Sequence, residues 1–141
     1  MYLRTISVII AFCMPENAIA EEMVPLRKLI SLGAENSYPL VRCGGLYLSG
    51  LTWAGEDQFG LEATESITET IAYIIGFATD LRTPALGSEA HQSVWRDVRN
   101  ISDAYLKRYE RNYATSGQAW GGDELWDSDT KTCSLLLGGG P

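Results

Sequence analysis

Apolar residues return every three or four positions through two long stretches of the chain. Between Glu62 and Arg82 the set is Ile67, Ile71, Ile74, Ile75, Ala78 and Leu81. At 100° per residue these cover about 120° of a helix surface, and Glu62, Glu65 and Glu69 fall on the opposite face. From Ser88 to about Thr115 a second face reads Ala90, Val94, Val98, Ile101, Tyr105 and Tyr109. Trp95, Leu106 and Tyr113 widen it on one side, while Arg96, Arg99, Asp103, Lys107 and Arg111 occupy the other. Both patterns predict amphipathic helices.

Tyr38–Gly55 is different. It carries one charge, Arg42, and is apolar on nearly every side. A helix of that kind is covered by neighbours around most of its circumference. Asn36-Ser37 offers a cap, Pro39 suits a first turn, and the helix is expected to run to about Asp57. Gly44, Gly45 and Gly50 weaken helix propensity, so their expected compensation is close approach of neighbouring helices. Arg42 is expected to reach the surface or to pair with a carboxylate, with anion binding as the alternative.

The remaining stretches are shorter. Residues 21–33 predict a first helix, with Glu21 and Glu22 at its N-terminus, an apolar set of Val24, Leu26, Leu29, Ile30 and Leu32, and Gly33 at its end. Gln58–Leu61 reads as a turn and Thr83–Gly87 as a connector. Ser116–Asp129 is Gly-rich and acidic, and is expected to be a structured loop that brings Cys133 back to the central helix. Leu135–Leu137 would add a last apolar contact and residues 138–141 would fray. The predicted fold class is therefore all-α: one domain over residues 21–137, a small bundle of about four helices around a central apolar helix, with one disulfide.

The N-terminus changes the cysteine count. Arg4, the short apolar run Ile6–Met14, the breakers Pro15 and Asn17, and Ala18-Ile19-Ala20 read as a cleavable signal peptide over residues 1–20. An N-terminal core element is the alternative, and the run is too short to span a membrane. Phe12 before Cys13 argues against lipoprotein processing. Cleavage leaves Cys43 and Cys133, an even pair in an exported chain, which points to an intramolecular disulfide; free buried thiols or intermolecular pairing are the alternatives. Closing a loop of about 90 residues stabilises by roughly 4–5 kcal/mol in the loop-entropy account.

Composition is ordinary for a globular chain, 45% hydrophobic and 21% charged, and the net charge is −7. An acidic chain with no basic run is a poor partner for nucleic acid or anionic membranes. Neither a catalytic set nor a metal site is recognisable, and no cofactor is implied. His91 is the single histidine and is expected to be partly buried for structural reasons. Glu62, Glu65, Asp123 and Asp127 are the carboxylates an acid–base site would draw on, but Glu62 and Glu65 read as a solvated face. Asp123–Asp129 superficially suggests calcium, yet lacks the Gly and closing Glu of an EF-hand. Trp120 and Trp126, with Arg42, Arg96 and Arg99, form the candidate interaction surface, the tryptophans otherwise capping the core beside the disulfide.

Tyr38, Val41-Arg42-Cys43 and Tyr47, then Tyr105, Tyr109, Asn112 and Gly117, then Asp129 and Cys133, carry a resemblance. In these positions the chain resembles small exported bacterial α-helical proteins with one Cys in the first long helix and one near the C-terminus. More distantly its layout is similar to periplasmic immunity proteins, which are small, helical and disulfide-bonded. The resemblance carries over no functional residue. Together with the residues, it makes a non-catalytic periplasmic or secreted interaction protein, of immunity or inhibitor type and with a protein partner, the leading expectation. A self-associating envelope or assembly component, a small carboxylate-based enzyme and a ligand carrier are the alternatives.

Overall fold

The computed structural model describes residues 22–139. The signal-peptide reading of residues 1–20 and the outer half of the expected tail lie outside them. Five helices follow in order: α1 Leu26–Ser31, α2 Tyr38–Phe59, α3 Leu61–Leu86, α4 Ala90–Ser116 and α5 Glu124–Leu136. No strand occurs among the described residues. The four longer helices pack together, and α2 touches every other helix, α1 included. Its place at the centre follows from its sequence, since only a helix apolar on most sides gains from being covered on most sides.

Two of the three helical glycines of α2 sit where a neighbour comes close. A Cβ on Gly44 would lie 3.2 Å from Val98 and 3.3 Å from Ile74. One on Gly45 would overlap Ile101 and approach the Ser102 backbone nitrogen to 3.1 Å. Gly50 differs from the expectation: nothing lies within 4 Å of its Cβ position. Ser37 occupies the N-cap position of α2, but its hydroxyl donates to Glu35 at 2.6 Å and makes no cap bond. Arg82 of α3 then donates to Ser37, and also to Ser93 at 2.8 Å and Asp97 at 2.7 Å on α4.

Element ends depart from the sequence pattern for local reasons. Gly55 adopts φ 63°, ψ −173° and kinks α2 before its last turn, and Gly60 at φ 78° separates it from α3. The expected connector Thr83–Gly87 is helical as far as Leu86. Pro84 falls in the last turns, where its missing N–H costs one ladder bond rather than a helix. A 3₁₀ turn over Gly87–Glu89 absorbs Ser88, so Ser88 caps nothing.

The largest correction concerns Ser116–Asp129. Its second half is not a loop but the start of α5. Asp123 caps that helix, accepting the Leu125 and Trp126 N–H groups at 3.0 and 3.3 Å. Leu125, Asp129 and Cys133, four residues apart, form its buried face. At its far end Gly138 (φ 78°) and Gly139 donate to Leu135 and Ser134 in a Schellman arrangement, so these two tail residues are hydrogen-bonded. α1 is shorter than expected: of its apolar set only Leu26 is buried, and Leu32 is 71% exposed.

The core divides in two. One cluster is aliphatic: Val41, Ile71, Ile75, Ala78, Val94 and Val98. The other gathers Leu26, Cys43, Leu46, Ile74, Tyr105, Tyr109, Ala119, Leu125 and Cys133, with Trp53, Trp120 and Trp126 packed against it. The Cys43–Cys133 disulfide joins α2 to α5 inside this second cluster and closes a separation of 90 residues.

Candidate functional site

The second cluster contains a buried ionic hub. Asp129 is fully buried on α5. Its Oδ1 accepts the Leu26 N–H at 2.7 Å. Its Oδ2 accepts Arg42 Nε at 3.0 Å, Arg42 Nη2 at 2.7 Å and the Tyr105 hydroxyl. Arg42 Nη2 also donates to the Val24 carbonyl at 3.1 Å, and the guanidinium carbon lies 5.0 Å from the Tyr105 ring centre. Thus one carboxylate ties the start of α1 to α2, α4 and α5. Burial works against the charged Arg42 guanidinium, but Tyr105 and Asp129 outweigh it and hold its pKa up. Burial likewise pushes the Tyr105 phenol well up, and the Asp129 charge adds to this while Arg42 opposes it.

A second network fixes the entry to α5. Arg108 grips Asp123 with two bonds, Nε to Oδ2 at 2.5 Å and Nη2 to Oδ1 at 2.8 Å. Asn112 donates to Asp123 at 2.7 Å and to the Ala119 carbonyl at 2.9 Å. Burial acts to raise the Asp123 carboxyl, but hydrogen bonds from Arg108, Asn112 and the Trp126 N–H prevail and hold it below its ordinary value.

These networks hold an aromatic platform. Trp120 and Trp126 stack with ring centres 5.7 Å apart and planes 14° from parallel. Trp120 meets Tyr109 edge-on at 5.3 Å, and Tyr109 meets Trp53 at 6.0 Å. Burial raises the Tyr109 phenol to about 12, against the opposing hydrogen bonds of Ser49 and Trp126. Both tryptophans are half-buried and wall an apolar cleft of about 240 Å³ together with Leu46, Tyr47, Leu51 and Phe59. Gly50 and Ile67 complete its sides, and Thr130, whose buried Oγ1 has no hydrogen-bond partner, stands in its wall.

The candidate surface read from the sequence is therefore divided. Trp120 and Trp126 come together. Arg42 is not on the surface: it is 3% exposed, because Asp129 offers it a buried counter-charge. Arg96 and Arg99 are exposed on α4, at least ten residues from Tyr109 and so about 15 Å along the helix from the tryptophans. Arg96 lies 3.4 Å from Asp97, and Arg99 sits 5.9 Å from the Trp95 ring centre. His91 is exposed rather than partly buried, since its side chain falls at the edge of the α4 core face. Glu62, Glu65 and Glu69 are exposed on α3, and Asp123 and Asp129 are committed to separate networks. No group of three or more potential metal ligands occurs among the described residues.

Asp129, Tyr105 and Arg108 carry the geometry without standing out in the sequence as acid–base or interaction residues, and Asp123, a candidate acid–base carboxylate there, is instead a helix cap paired with Arg108. The one available signal was Arg42 itself, a lone cation in an apolar helix that demands a counter-charge. Among the described residues no helix is long and apolar enough to cross a membrane, and the disulfide fits an oxidising compartment. Comparison with protein-family models, with curated proteins and with solved structures finds no match for the chain.

Proposed function

We propose that the chain is a non-catalytic interaction protein of immunity or inhibitor type, exported to the periplasm or secreted, whose working face is the aromatic platform. The observation that carries this reading is the stacked Trp120–Trp126 pair. It is half-exposed, yet the disulfide lies further along α5 and Asp123 anchors its start. Aromatic side chains on a rigid support are the usual anchors of protein interfaces, because little entropy is lost when they bind. Export supplies the oxidising setting in which the clamp forms. Tagged mature protein used as bait at micromolar concentration is expected to retain one specific partner from envelope extract or from a competitor's secretions. Repeated retention of nothing overturns the reading.

A second reading has its own observation. Tyr73, Phe77 and Leu81 form an apolar stripe on α3 that is 65, 48 and 41% exposed, with Tyr73 and Phe77 stacked at 6.3 Å. A stripe of this kind suits association of two copies. Sedimentation decides it: a monomer at all concentrations removes self-association.

A further inference from the structure

One wall of the cleft beside the tryptophans is built differently from the rest. Trp126 follows the capped start of α5, and Leu46 is a buried member of the aromatic core cluster. Phe59 instead comes from the last turn of α2, Glu56–Phe59, which stands between two glycines. Gly55 (φ 63°, ψ −173°) and Gly60 (φ 78°, ψ 163°) both occupy a backbone region essentially closed to residues with a Cβ. On a straight helix Phe59 would stand about 20 Å beyond Leu46, so the change of direction at Gly55 is what returns it to the cleft. The turn is held lightly. Its closing bond is its own, from the Gly60 N–H to the Glu56 carbonyl at 2.7 Å. Glu56, Asp57 and Gln58 are exposed, and among the described residues their side chains make no hydrogen bond or ion pair with the rest of the protein. Phe59 is half-buried, yet it packs against no buried member of either core cluster.

We propose that Glu56–Phe59 is a flap hinged at Gly55 and Gly60, and that it closes by carrying the Phe59 ring into the cleft. The occupant of the closed cleft is thus the chain's own phenylalanine, laid against Leu46, Trp120 and Trp126. The space of about 240 Å³ is the gap that now separates Phe59 from those side chains. Closure removes apolar surface of both the ring and the cleft walls from water, which drives it. Hinges are a few positions at the ends of an element that absorb the change in φ and ψ, and a glycine at each end of a single turn supplies them. A segment with few buried contacts and exposed side chains is also one that opens at low cost. The fixed wall does not follow, because the Asp123–Arg108 grip and the disulfide hold α5. Closure therefore hides the cleft side of the tryptophan pair and opening uncovers it. The motion belongs to the free protein, so it stands apart from the interaction reading above.

NMR relaxation dispersion on the oxidised protein, with no ligand added, tests the flap. Flap motions fall in the μs–ms range that this measurement reads. The expected result is one exchange process, with a single rate, shared by the amides of residues 56–60 and the indole N–H groups of Trp120 and Trp126. The indole of Trp95, which packs against the aliphatic cluster, should show none. Gly50→Leu then blocks closure without threatening the fold. Nothing lies within 4 Å of the Gly50 Cβ position, so the new side chain takes the space Phe59 would enter and the helix loses a glycine. Exchange at both indoles should be lost in Gly50→Leu and in Phe59→Ala, and kept in Gly76→Leu, an equally open position on α3. Flat profiles at residues 56–60 in the wild type would overturn the proposal. So would different rates for the turn and the indoles, or indole exchange undiminished in Gly50→Leu.

Discussion

The two halves of the core are built on different physics. The Val41–Ile71–Val98 cluster holds together by shape alone: its buried members are aliphatic, carry no titratable group and bury their surface between α2, α3 and α4. The Tyr105–Tyr109–Cys133 cluster is aromatic, and encloses a disulfide and an arginine–aspartate pair. The difference follows from chain distance. The aliphatic half joins three consecutive long helices by short connections, so loop closure is cheap. The aromatic half must hold α1 and α5, the first and last helices, and these are short. Asp129 bonds to Leu26 across 103 positions and to Arg42 across 87. Apolar area on helices of 6 and 13 residues is small, and directional or covalent links take its place.

The comparison can be broken most severely at the disulfide. Replacing Cys43 and Cys133 together by Ala is expected to lower stability by roughly 4–5 kcal/mol in chemical unfolding. Hydrogen exchange should show the loss as opening of α1 and α5, with α3 and the N-terminal half of α4 retaining more protection. Uniform loss across all helices would mean the two halves are not separable.

Asp129→Ala comes next, at about 3–5 kcal/mol, because it leaves a buried guanidinium without its counter-charge. The paired change Arg42→Met with Asp129→Leu should recover most of that loss. Failure of the pair to recover any of it would show that the hydrogen bonds to Leu26 and Tyr105, rather than the ion pair, hold the hub.

Glycines sharpen the contrast at smaller scale. Gly45→Ala is expected to destabilise by about 1–3 kcal/mol by pressing on Ile101 and the α4 backbone. Gly50→Ala, facing the open cleft, should stabilise by up to about 1 kcal/mol. The same sign for both would contradict the packing described.

The smallest effect is with pH, and it too belongs to the aromatic half. The Asp123 carboxyl is held below its ordinary value, so its contribution is present above the unfolded carboxylate range of about 4 and is lost as pH falls through the lower folded value. Tyr109 has the opposite sense. Its phenol is raised to about 12, so its contribution is complete below the unfolded value of about 10 and is lost as pH rises from there through 12. Denaturant midpoints measured from pH 2 to 12 should fall at both ends. In Asp123→Asn the acid limb should flatten.

How much of this was legible in the sequence also divides along the same line. The helices of the aliphatic half stand out by periodicity, since Ile71, Ile74, Ile75, Val94 and Val98 recur at helical spacing along their own helices. The disulfide follows from the even cysteine count of the chain after residue 20 rather than from any local pattern. The first half of α5, Glu124–Asp129, reads as loop in the sequence because Gly121, Gly122 and four acidic residues mask the start of a helix only 13 residues long. The Leu125, Asp129, Cys133 spacing shows a buried face only once Asp129 is known to be buried. No local pattern supplies that, because its partner lies 87 positions away. The Trp120–Trp126 stack has a different origin: it is set by the Asp123 cap and by Arg108, and no apolar periodicity marks either.

The central claim is that Asp129 anchors the first helix to the last from inside the protein. Native-state hydrogen exchange of the Leu26 amide tests it most directly, since that N–H has Asp129 Oδ1 as its partner at 2.7 Å. At the first helical position an amide has no partner within its own helix. The account predicts exchange as slow as that of the α4 amide of Tyr105, and orders of magnitude faster in Asp129→Ala. Exchange of the wild-type Leu26 amide at the rate of an unstructured peptide would contradict it.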